Sequence, residues 1–120
     1  MSEGIMEYKI NLAKDFSEFP FGRYKDTDGE FTGEAFREDH LRPILIKIKS
    51  EDTLLIDLAD VAIGIGSSFL NESFAGAVKK GYIDKESFLK ILKIKCDDDL
   101  YEKEIKEYII DATMNKNARS

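Results

Sequence analysis

The chain has one cysteine, one histidine and two prolines in 120 residues, and its apolar runs are short. The single cysteine, Cys96, excludes an internal disulfide, and with the lone His40 it supplies no Cys/His ligand set for zinc. Runs such as Val61-Ala62-Ile63 fall far short of the roughly 20 apolar residues that a spanning helix needs. The polar opening MSEGIMEYK has no signal-peptide core, so no membrane association is expected and the cytoplasm is the expected compartment. Positive charge is in deficit, with 18 basic against 24 acidic residues, and a net charge of −6 works against attraction to a phosphate backbone. Nucleic acid is therefore not an expected partner. The local lysine clusters, such as Lys90/Lys93/Lys95, have the spacing of solvated faces.

What is present is ordinary globular material, 42% hydrophobic and 35% charged, in a length suited to one domain. A single domain over 1–120 is expected, with residues 1–5 and 115–120 frayed. In EYKINLAKDF, Tyr8, Ile10 and Leu12 alternate with polar neighbours, the pattern of a strand with one buried face. From Asp15 to Gly33 the glycines, the acidic turn residues and Pro20 predict a long loop or a short irregular hairpin. A helix begins at Thr32 or Gly33 and carries Ala35, Phe36, Leu41, Ile44, Leu45 and Ile48 along one side. Pro43 inside it predicts a kink, or a break followed by a new first turn.

TLLIDLA, Thr53 to Ala59, reads as a central strand buried on both faces. A helix from Ser68 to about Lys80 follows, with Gly81 as the residue that ends it. Asp84 is placed to cap a further helical turn, and ILKIKC alternates as another strand with one wetter face. In the last helix, three aspartates suit the positive N-terminal end and Leu100, Ile105, Tyr108, Ile109 and Ala112 form the apolar stripe. Strands alternating with helices call for an α/β layer fold with a mixed or mostly parallel sheet.

Most catalytic patterns fail on inspection. Gly64-Ile65-Gly66 precedes a helix, but Phe69 stands where a dinucleotide fingerprint needs a third small residue; GIGSSF has no P-loop lysine and no Gly-x-Ser-x-Gly elbow. Aligning DTDGE with a calcium loop puts Tyr24 and Ala35 at two required ligand positions, so a plain acidic turn is expected and no metal. His40, beside Asp39 and Arg42, reads as a helix-surface residue. What survives is Ser67-Ser68, at the junction where α/β sheets offer helix amides at a strand's carboxyl end. Either serine can serve as an N-cap, or Ser67 can serve as a modified or docking hydroxyl whose phosphate alters the surface a partner meets.

At TLLIDLADVAIGIGSSFLNESFAGAVKKG the order of features is similar to the STAS domains of bacterial anti-anti-sigma factors. More of the chain resembles a STAS-like family of uncharacterised prokaryotic proteins, through Gly22-Arg23, Gly33-Glu34-Ala35-Phe36-Arg37-Glu38 and Ser67-Ser68-Phe69-Leu70-Asn71-Glu72. The resemblance implies a STAS-like α/β fold with a mixed sheet of about four strands covered by helices. It implies a regulatory, protein-binding module with no catalytic activity and no cofactor. Its partner would be a histidine-kinase-like ATPase that acts as an anti-sigma factor, and Ser67 stands at the phosphorylated position. Gly66 stands where those proteins carry an aspartate. Arg23 and Arg37 are expected to pair with Glu34, Glu38 or Glu72 and order the loop beside Ser67, or to meet a phosphate. The alternative is a small-molecule or nucleotide sensor that uses the strand-end crevice at Ser67 with Arg23 and Arg37 as anion contacts.

Overall fold

The computed structural model describes residues 4–61 and 64–113. Ala62 and Ile63 of the apolar run lie outside these, as do residues 1–3 and 115–120 of the ends expected to fray. The alternation of Tyr8, Ile10 and Leu12 gives β1, Glu7–Asn11, followed by one wide helical turn, α1, Leu12–Phe16. A short turn, α2, Lys25–Asp28, sits within an irregular hairpin closed by Phe21 N–H to Phe31 O at 2.8 Å. The long helix α3 spans 33–45 and starts where the Thr32 hydroxyl accepts from the Ala35 amide. Its middle turn is widened, with Arg42 N–H reaching Arg37 O five residues back. Pro43 follows directly on this widened turn, where the regular i→i−4 ladder is already interrupted, and the helix runs on instead of breaking.

The central strand β2, Thr53–Asp57, leads through a loop to α4, spanning 67–79. Gly81, at φ +80, ends α4: its own N–H bonds Val78 O and that of Tyr82 bonds Ala77 O, the paired closure that a left-handed residue allows. Asp84 caps α5, Lys85–Ile91, by accepting from the Ser87 amide, and α5 passes directly into β3, Leu92–Lys95. Asp98 caps the last helix, α6, Asp99–Asp111. On α6 it is Tyr101, with Ile105, Tyr108, Ile109 and Ala112, that turns inward; Leu100 is 68% exposed, one position off the predicted stripe.

Among the described residues the sheet has three strands in the order β1-β2-β3, all parallel, so the mixed sheet of about four strands is corrected to a parallel one of three. Between β1 and β2, the segment before α3 is gathered into turns, with Asp28 accepting from the amides of Arg23 and Tyr24, and it supplies no strand. Both crossovers run in the same direction across the sheet, so right-handed connections put their helices on one face. Burial follows that layout. Leu54, Ile56 and Leu58 are fully buried beneath the helices, with Ile10, Leu92, Phe36, Phe74 and Ile105 in the same core. The other face carries Lys9, Leu55 and Lys93 in one row and Asn11, Asp57 and Lys95 in the next. Its lysines are exposed and Leu55 only half-buried, so β2 is covered on one face, not two.

Candidate functional site

The site lies where the chain leaves β2 and enters α4. Gly66 is the residue before the first helical turn, with extended backbone (φ −76, ψ 156), and among the described residues no side-chain hydrogen bond caps that end. Ser67 and Ser68 are the first two helical residues and both are exposed. The reading of them as capping hydroxyls is therefore corrected: the N-cap position belongs to Gly66, and among the described residues neither serine hydroxyl accepts from a helix amide. The loop before them is pinned to α6, because the Ile65 amide donates to the Tyr101 hydroxyl at 2.9 Å. Tyr108, about two turns further along the same face of α6, lies beside Ser67; burial and its hydrogen bond to Glu104 push its phenol above the usual value.

Facing Ser67 across an open cleft of about 590 Å³ is the loop Pro20 to Tyr24. Arg23 is its cation. Gly22, at φ +86, and Asp28, which accepts from the Arg23 and Tyr24 amides, shape that loop, and these amides hold the Asp28 carboxyl below its usual range. Arg23 Nη1 reaches Asn71 Oδ1 at 3.2 Å and Glu72 Oε1 at 3.4 Å, and its side chain remains 33% exposed. Arg23 thus borders the cleft at Ser67 and also a second cleft near Lys79 and Lys80.

Arg37 occupies a different environment. It is only 3% exposed, bonded through Nη1 to the Glu72 carboxylate and to Glu72 O, and through Nε to Glu38 Oε2 at 2.8 Å. Burial works against its charge, but the hydrogen bonds and charges of Glu38 and Glu72 outweigh burial and raise its pKa above the ordinary arginine value. Glu38 in turn accepts from the Tyr82 hydroxyl at 2.7 Å and from Arg42 at 3.2 Å. Burial alone would raise the Glu38 carboxyl; these donors and the Arg37 charge outweigh that and lower it. The result is a continuous chain of alternating charge, Arg23, Glu72, Arg37, Glu38, Arg42, tying the loop to α3 and α4.

Of the residues singled out in the sequence, Arg23, Arg37 and Glu72 meet directly. Glu34 pairs with neither arginine; its carboxylate accepts from the Lys25 amide at 2.9 Å and so fastens the same loop. Arg37 lines neither cleft at Ser67 nor the one near Lys79, so its guanidinium is committed to the network and the cleft's cation is Arg23. Gly76 makes room for Arg37: a Cβ there would sit 2.8 Å from Arg37 Nη1. Gly33 brings α3 and α4 together, since a Cβ there would meet Phe69 O at 2.6 Å. Tyr82, Tyr101 and Tyr108 were not legible as site residues, because only the packing of the whole fold brings them to the site, while Asn71 stands inside the Ser67-to-Glu72 motif without having been singled out. The glycine within the apolar stripe of α4 was the one available signal, as glycine inside a helix costs about 1 kcal/mol unless a close approach requires it.

The sequence pattern of one family, described as the STAS-like domain of unknown function (DUF4325), matches residues 32–102, more than half of the chain. The chain belongs to that family. No curated protein and no solved structure matches it.

Proposed function

We propose that this STAS-like chain is a regulatory protein-binding module with no catalysis of its own, docking a partner through the loop at Ser67 and the exposed side of α4. The partner in this reading is a histidine-kinase-like ATPase acting as an anti-sigma factor in a prokaryotic cytoplasm, and phosphorylation of Ser67 is the switch. One observation carries it: Ser67 is exposed at the head of a helix spanning 67–79 with no capping duty, in an open cleft whose cation is Arg23. A phosphate on that hydroxyl would meet the helix's positive end, with Arg23 across the cleft. Among the described residues no helix is long and apolar enough to cross a membrane. The test is incubation with the ATPase encoded beside the gene, ATP and magnesium, read by intact mass and by gel filtration. The expected result is one added phosphate, absent from Ser67→Ala, together with a complex. Neither phosphate nor complex overturns the reading.

The second reading, a nucleotide or small-molecule sensor, is favoured by Arg23 bordering two adjoining clefts. It expects a rise in melting temperature with a nucleotide and no partner protein, lost in Arg23→Ala. Arg37→Ala is not the right probe, because it removes a buried structural cation.

A further inference from the structure

The outer edge of β1 holds backbone bonding capacity that nothing among the described residues uses. Among the described residues β1 ends the sheet and pairs only with β2. Met6 gives its carbonyl to the Thr53 amide and its own amide to Asp52, so Met6, Tyr8 and Ile10 turn their backbone groups toward β2. By alternation Glu7, Lys9 and Asn11 turn theirs outward. The Asn11 amide is taken by Asp15 at 2.8 Å, which closes that end. Glu7 and Lys9 have no backbone partner on the outer side among the described residues. Next to them Ile5 and Met6 are 65% and 49% exposed, two large apolar side chains at the open end of an edge strand.

We infer that this edge pairs with the same edge of a second copy of the chain, antiparallel across a two-fold axis, joining two three-stranded sheets into one. Outward-facing residues must meet outward-facing residues for the bonds to form. That leaves three central registers. One sets Glu7 against Glu7 of the other copy and another sets Lys9 against Lys9, like charges directly opposite. The third, centred on Tyr8, sets Glu7 against Lys9 and Lys9 against Glu7, two opposite-charge pairs, and places Met6 opposite Ile10. Charge selects this register, and its self-complementarity is what a two-fold interface requires. The pairing also covers an edge that otherwise invites uncontrolled association.

Sedimentation equilibrium over a concentration series tests it. The weight-average mass rises from 13.7 kDa toward twice that value, with a dissociation constant on the order of 0.1 mM for so small an interface. Lys9→Glu puts glutamates opposite each other and weakens association by about tenfold or more, while the charge swap Glu7→Lys with Lys9→Glu restores it. Circular dichroism of each exposed-site variant confirms that the monomer's fold is unchanged. A wild-type chain that stays monomeric to about 1 mM, a dimer indifferent to Lys9→Glu, or a swap that fails to restore pairing overturns the inference.

Discussion

Glu72 is the residue on which the site turns, because a single carboxylate serves both Arg23 and the buried Arg37. Replacing it leaves Arg37 in the interior with only Glu38 of its two carboxylate partners. Glu72→Ala is expected to cost about 3 kcal/mol in urea denaturation, whereas Arg23→Ala, removing a third-exposed partner at longer range, is expected to cost no more than about 1 kcal/mol. The serines behave in the opposite way. Since neither caps α4, Ser67→Ala and Ser68→Ala are each expected to shift stability by no more than about 0.5 kcal/mol. Asp84→Ala, which removes a bonded cap, is expected to lose about 1 kcal/mol in the same assay. A loss at Ser67 as large as that at Asp84 would restore the capping role to the serine.

At the scale of elements, α3 and α4 approach as closely as they do because Gly33 has no side chain to intervene. Gly33→Ala, at the first helical position, gains helix propensity of at most about 1 kcal/mol, yet its Cβ meets a backbone carbonyl, Phe69 O, that cannot step aside without moving α4. The clash should win, with a net loss of about 1 to 3 kcal/mol by denaturant melt. The helix and strand pattern was legible locally: Asp84 as a cap, Gly81 as a terminator and the alternation in β1 are each set by residues within a turn of one another. The α6 stripe kept its predicted phase through Ile105, Tyr108, Ile109 and Ala112; only Leu100 fell off it, and Tyr101, four residues before Ile105, takes its place. The start of α4 at Ser67 in place of Ser68 depends on the loop that leads into it, which residues of other elements hold.

For the whole molecule, the depressed carboxylates make stability fall in acid. Glu38 is held below its ordinary value in the folded chain, so its contribution is complete above the unfolded carboxylate value of about 4.3 and disappears as pH drops through the lower folded value. Asp28, Asp52 and Asp84 are depressed in the same direction by backbone and side-chain donors. Glu38→Gln should therefore be less stable than the wild type at pH 7, and the gap should narrow below about pH 4. Urea midpoints at the two pH values measure it, and a gap independent of pH would remove the charge from the explanation.

The sequence by itself determined the α/β class, the positions of β1, β2, β3 and the principal helices, and the choice of Arg23, Arg37 and Glu72 as residues that order the loop. These rest on periodicity, turn residues and motifs, which are properties of short stretches. Only the tertiary structure decided that one face of the sheet is open, that Arg37 is a buried structural cation while Arg23 faces the cleft, and that Ser67 is free of capping. Each of those depends on which segment packs against which, and burial, unlike helix or strand pattern, is a property of the neighbours a residue acquires on folding.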